Sequence, residues 1–368
     1  MAVDRSVLAE STITRLQVHT PVGVVRISAE GAGEEVWGAA LICPDRLPPA
    51  ATVDRMRTAL AGRPLADRER LWRDLRSAAA GTDPAGLAGV DIALWDLWSK
   101  ALRLPLYRAI GGFRTEIPVC LSGEAACDTD DAAAEAAGAV RDGFRGYRVA
   151  GTTTPIGAKA PAAVRNRVLD AIRAVREAVP SDFPLIYRGV PAGGHLEALA
   201  IGRALDEAGY TWFENPLPGA DGEALGRLAA ELDTPVLATV GGPDAARQAA
   251  AHLSRQSADL IRVRIPDVGG ITEALKIARA AEAFGVNCEI DPDDGNGGFA
   301  AAGLMGAVRN AMFLLWVTGE SGERARTAGG LIRTPMSVRD GAVTLGDAAG
   351  LGMDLDPDRI GAGTERLL

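Results

Sequence analysis

The 368-residue chain carries 39 basic against 48 acidic side chains, a formal charge of −9, with 47% hydrophobic and 24% charged residues. That mixture gives a globular protein with a full core, in two domains by its length, and its acidity argues against nucleic acid or an anionic membrane as the main partner. No apolar run reaches the roughly 18 residues of a membrane span, Met1–Ser11 lacks the order of a secretory leader, and four cysteines without metal spacing suit a cytoplasmic location.

In chain order, Thr14–Ser28 alternates apolar and polar residues as antiparallel strands do, and Trp37–Cys43 reads as a third strand. Helical patterns follow at Thr52–Ala61, Ala66–Ala78 and Pro84–Ala101, which makes a small α+β unit. From Glu116 onward short apolar runs alternate with Ala-rich amphipathic stretches. The runs are Ile117–Leu121, Tyr147–Val149, Pro184–Tyr187, Thr211–Phe213, Pro235–Ala238, Asp259–Val263, Val286–Ile290 and Met312–Leu315. Eight strands alternating with helices over about 200 residues predict a (β/α)8 barrel. An open doubly wound sheet is the alternative, but no G-x-G-x-x-G follows the first strand. The expected division is a cap at residues 1–114, a barrel at 115–330, and a segment at 331–368 that returns to the cap.

The stretch VDIALWDLWSKALRLPLYRAIGG (Val90–Gly112) resembles the end of the capping domain in the enolase superfamily, in its mandelate racemase and muconate-cycloisomerase branch. GFRGYRVAG (Gly143–Gly151), PLIYRGVPAGG (Pro184–Gly194), WFENPLP (Trp212–Pro218), PVLATVGGPD (Pro235–Asp244), GGITEALKIA (Gly269–Ala278), NCEIDPDDGN (Asn287–Asn296) and AGLGMDLD (Ala349–Asp356) follow in the family's order. The resemblance implies an α/β fold, a modified TIM barrel of (β/α)7–8 type with an N-terminal α+β cap over its mouth, and a homo-oligomer.

It also implies a Mg²⁺ site of three carboxylates at the ends of the third, fourth and fifth barrel strands, where a hard cation stabilises an enolate. At those positions the chain has Arg188 (with Val190 nearby), Glu214 and Val240, so no cofactor is expected from the sequence. The family's Lys-x-Lys on the second strand is Arg148 and Ala150, its sixth-strand acid or amine is Arg264, its seventh-strand His is Asp291, and its eighth-strand Glu is Leu315. Arginine stays protonated and is no base. The candidate proton carriers are therefore Asp291 and Glu214, and the candidate substrate-binding residues are Arg148, Arg188 and Arg264.

Each assignment has a plainer counterpart. The three arginines either neutralise Glu214 and Asp291 or hold an external anion. Arg262 and Glu289 read as a salt bridge inside the barrel. Asp291, Asp293 and Asp294 read as a solvated loop, and His195 as a surface residue. Tyr147 and Tyr187 have the parity that faces the helices, and Lys159 is the one lysine near the mouth. Three functions are compatible with this pattern. The first is a metal-independent lyase or isomerase acting α to a carboxylate. The second is a catalytically silent relative that binds an anion or serves a structural role. The third is a conventional Mg²⁺-dependent acid-sugar dehydratase or racemase.

Overall fold

The computed structural model describes residues 11–20, 22–31, 34–126, 130–151, 162–189, 194–217, 222–292 and 295–362. Strands β1 (Thr12–His19), β2 (Val24–Gly31) and β3 (Glu34–Leu41) form an antiparallel sheet in the order β1-β2-β3. The third strand begins three residues earlier than the apolar run suggested, because Glu34 and Glu35 pair with Gly31 and Glu30 at the exposed end of the hairpin.

Helices α1 (Ala50–Leu60), α2 (Arg68–Ala78) and α3 (Pro84–Ala101) pack on that sheet. Asp83 caps α3, accepting from Ala85 N at 2.9 Å, and Pro84 occupies the first turn, where its missing N–H costs nothing. Helix α3 is buried over most of its circumference because it lies between the sheet and the barrel, which is the condition that an all-round apolar helix requires.

Eight parallel strands make the barrel: β4 (Glu116–Ala126), β5 (Tyr147–Ala150), β6 (Leu185–Arg188), β7 (Trp212–Glu214), β8 (Val236–Val240), β9 (Leu260–Arg264), β10 (Asn287–Asp291) and β11 (Leu314–Trp316). Their hydrogen-bonded order runs β10-β9-β8-β7-β6-β5-β4-β11. Helices alternate with them, among them α7 (His195–Ala208) and α10 (Ile271–Ala283). The protein is thus an α/β barrel with an N-terminal cap.

The seam between β10 and β11 is closed by other means than a strand ladder. Cys288 N donates to Asn310 O at 2.6 Å, and the Glu289 carboxylate accepts from Met312 N (2.9 Å) and Phe313 N (3.2 Å). Two orphan backbone donors at the seam are thereby satisfied from inside the barrel.

Alternation along the strands separates two apolar layers. Cys120, Ile186, Trp212, Leu237, Leu260, Phe313 and Leu315 fill the barrel floor. Tyr147 and Tyr187 join Val149, Leu185 and Phe213 beneath the outer helices, as their parity predicted.

Three buried polar residues tie the cap to the barrel and the C-terminal segment. Asp91 accepts from Thr272 N (2.8 Å) and Thr272 Oγ1 (2.6 Å) at the start of α10. That approach is possible because Gly270, at φ 126°, has no side chain; a Cβ there would lie 2.4 Å from Asp91 Oδ2. Asp96 accepts from Ala39 N and Leu351 N. Asn296 pairs through both amide atoms with Leu41 N (2.7 Å) and Leu41 O (3.1 Å), stapling the loop after β10 to the end of β3. Strand β12 (Ala342–Thr344) pairs antiparallel with β4 at the opposite rim. No helix among the described residues is long and apolar enough to cross a membrane.

Candidate functional site

Inward-facing residues at the C-terminal ends of the barrel strands surround a cavity of ≈ 600 Å³. Arg148, Arg188, Glu214, Arg264 and Asp291 all line it, so the structure brings together the five side chains singled out in the sequence. Thr239, Asn215, Arg262, Leu315, Trp316, Met336 and Arg326 complete much of the wall.

At the base of the cavity Glu214 is fully buried, and both of its carboxylate oxygens have partners. Its Oε2 takes Arg262 Nη1 at 2.7 Å and Arg148 Nη1 at 3.3 Å, and its Oε1 accepts from Trp212 Nε1 at 3.1 Å. Arg148 is held in turn by Ser122 Oγ, which accepts from Nη2 at 2.7 Å and Nε at 3.2 Å. Burial alone would raise the Glu214 carboxyl, but the two guanidinium charges and the hydrogen bonds hold it at about 2. A carboxylate that stays ionised to such acidity is a poor proton acceptor near neutrality, because its conjugate acid is too strong. Between Glu214 and Asp291, the stronger candidate for moving a proton is Asp291.

Three sequence expectations about this floor are corrected. Of the three arginines expected to neutralise Glu214 and Asp291, Arg148 does pair with Glu214, but the second partner of Glu214 is Arg262 rather than Arg188 or Arg264. Arg262 has the parity assigned to it, but its ion-pair partner is Glu214; Glu289 is occupied at the seam and, being buried, has its carboxyl pushed above the usual range. Val240 does not face the mouth. It packs at 1% exposure in the layer outside the barrel, and Thr239 is the residue of β8 that lines the cavity. Side chains alternate along a strand, so shifting the motif by one residue moves it to the other face.

The upper wall is less fully paired. Arg264 reaches Asp267 at 3.3 Å, and Asp267 also meets Arg46 of the cap at 2.9 Å. Arg188 projects into the cavity, and burial, then the neighbouring Arg148, lowers its guanidinium from the ordinary value. Asp291 stands beside Arg264 in the β9–β10 register. Asn215, the first residue after β7, adopts a left-handed backbone (φ 46°), which asparagine tolerates, and its Oδ1 accepts from Thr239 N at 3.0 Å.

His195 contacts Glu231 at 3.0 Å on the outer helices, outside the cavity. Cys43, Cys120 and Cys288 are free thiols. Lys159, Val190, Asp293, Asp294 and Cys127 lie outside the described residues. Sequence reasoning missed Asn215, Trp316, Met336 and Arg326. The first lies inside the motif Trp212–Pro218 but has no role assigned by it, whereas the others stand on β11 or after it and carry no spacing signal.

Residues 6–111 match the family described as "Mandelate racemase / muconate lactonizing enzyme, N-terminal domain", and residues 131–359 the family described as "Enolase C-terminal domain-like". Among individual relatives, a chloromuconate cycloisomerase of Pseudomonas sp. is 30% identical over 78% of this chain and 75% of its own. An arabinonate dehydratase of Saccharolobus solfataricus is also 30% identical, over 59% of this chain and 58% of that one. The chain spans 53–62% of the length of the first three curated relatives it matches. A crystal structure of D-glucarate dehydratase from Agrobacterium tumefaciens, complexed with magnesium, superposes with a TM-score of 0.76 at 28% identity, covering 98% of this chain and 97% of that one.

The magnesium in that relative overturns the expectation that no cofactor belongs here: Mg²⁺ is the cation of the family and the one to supply in any assay. The described residues facing the cavity from β6, β7 and β8 are Arg188, Glu214 and Thr239, and the Glu214 oxygens are already engaged by Arg148, Arg262 and Trp212. This donor set does not fit the several anionic oxygens that a hard divalent cation takes. The chemistry these side chains offer is that of guanidinium and carboxylate.

Proposed function

We propose that this chain, which belongs to the enolase superfamily in its mandelate racemase and muconate lactonizing enzyme branch, binds a small carboxylate at the barrel mouth and acts as a lyase or isomerase on the carbon α to it. The observation that carries this reading is the charge of the wall: among the described residues, five arginines (Arg148, Arg188, Arg262, Arg264, Arg326) against two carboxylates (Glu214, Asp291) line one cavity. A surplus of fixed positive charge in a concave site, partly shielded by the cap, favours an anion.

In this reading Arg188 and Arg264 hold the substrate carboxylate, since a guanidinium fork matches two carboxylate oxygens. The same charges stabilise the extra negative charge that develops on those oxygens when the α-proton leaves. Asp291 takes or returns that proton. Arg148, Arg262 and Glu214 beneath them fix the floor and do not touch the reacting atoms. Relatives named as dehydratases and a cycloisomerase support the reaction class.

A binding protein without turnover is the second reading, and Ala150 favours it: β5 ends in a side chain with no proton to exchange. The two are separated by incubating the protein in D₂O with Mg²⁺ and a panel of sugar acids and N-acyl amino acids, following the α-proton by NMR. Exchange or elimination that disappears in Asp291→Asn supports turnover. Saturable binding with every α-proton retained leaves the silent relative as the answer.

A further inference from the structure

The arginines of the cavity are not equivalent. Arg148 and Arg262 are committed to Glu214, and Arg264 has Asp267. Arg188 and Arg326 line the same cavity and form no ion pair with a carboxylate among the described residues. They come from different parts of the barrel: Arg188 ends β6, whereas Arg326 lies in the last turn of the helix Gly319–Thr327 that follows β11.

Arg326 is held in place without an ion pair to a carboxylate among the described residues, Glu323 acting on it only at longer range. Its Nη1 donates to Val317 O at 2.6 Å, and its guanidinium lies 4.6 Å from the centre of the Trp316 ring. The helix approaches this closely because residue 322 is glycine; a Cβ there would lie 2.0 Å from Val317 O. Stacking on an aromatic face and one backbone acceptor orient a guanidinium while leaving its charge and other donors for something else. The lining of the same cavity also has apolar residues, Leu315, Trp316 and Met336 among them.

We infer that the ligand carries two anionic groups, one met by Arg188 and the other by Arg326, joined by a body that lies against Leu315 and Trp316. The inference rests on the carboxylate-binding reading above and narrows it to dianions such as dicarboxylates. A monoanion engages one of the two guanidiniums, and a dianion engages both. A ligand of this kind also spans the mouth, so its length is selected by the separation of the two cations.

The test uses isothermal titration of the full-length protein with succinate, glutarate and adipate, each against the monocarboxylate of the same carbon number, with and without Mg²⁺. The expected result is that at least one dicarboxylate binds tenfold or more tighter than its matched monocarboxylate. Arg326→Met should remove that advantage, whereas Arg188→Met should weaken binding of both series. Arg326→Lys keeps the charge, covers the case in which Arg326→Met does not fold, and should retain part of the preference. Equal affinity for both series in the wild type overturns this inference and leaves the carboxylate reading standing. A preference that survives in both Arg326 variants also overturns it. No binding of any carboxylate overturns both.

Discussion

The floor and the upper wall of the barrel mouth are built from the same residue types and differ in how those residues are paired. On the floor Arg148 and Arg262 flank a fully buried Glu214, and Trp212 and Ser122 take up further donors and acceptors. On the wall Arg188 and Arg326 are exposed to the cavity without a carboxylate partner among the described residues. A buried charge must be compensated within the protein, because its desolvation costs several kcal/mol. A guanidinium that faces the open cavity carries a smaller desolvation cost and is free to be compensated by a ligand. The floor is therefore read as structure and the wall as function, even though the sequence presents the arginines of both alike.

The contrast breaks first if removing charge from the floor has little effect. Glu214→Leu should destabilise the protein by about 3–5 kcal/mol in urea unfolding, because two buried guanidiniums lose their partner. Adding Arg262→Met to that variant should restore part of the loss; additive losses would show that the pair does not interact. The seam gives an effect of comparable size. Glu289→Leu leaves the N–H groups of Met312 and Phe313 without an acceptor, at roughly 1–3 kcal/mol each. Faster hydrogen exchange at those two amides than at the β6–β7 ladder is the expected signature.

A pH series sharpens the same contrast. The Glu214 carboxyl lies at about 2 in the folded protein and at its ordinary value, 4.5, when unfolded. The folded form is the weaker proton binder, so the stabilisation is complete above about pH 4.5 and is lost as pH falls toward 2. Glu214→Gln should flatten the acid limb of the stability curve in that window, and an unchanged limb would mean that other carboxylates govern it. The smallest effect belongs to the wall. Arg188→Met should alter ligand-free stability by no more than about 0.5 kcal/mol, as substitutions outside paired or packed positions usually do. A loss comparable with that of Glu214→Leu would place Arg188 with the floor.

Periodicity was sufficient for the barrel. Each apolar run from Ile117 to Leu315 overlaps a strand of the structure, and Pro84–Ala101 matches its helix to the residue. Parity also placed Tyr147 and Tyr187 under the helices, because side chains alternate along a strand whatever the tertiary context, while the family resemblance picked out Arg148, Arg188, Glu214, Arg264 and Asp291, which line one cavity. The sequence did not reveal partners. Arg262 was legible as an inward arginine, but Glu214 and Glu289 were equally available to it by parity. The choice fell to Glu214 because the β10–β11 seam consumes Glu289 through the Met312 and Phe313 amides. The swap between Val240 and Thr239 was likewise decided by strand register, which a motif matched by eye does not fix to one residue. Arg326 lies beyond the reach of pattern reasoning altogether. Its place in the cavity depends on Gly322 letting one helix close over Val317, a contact between chain segments that only folding brings together.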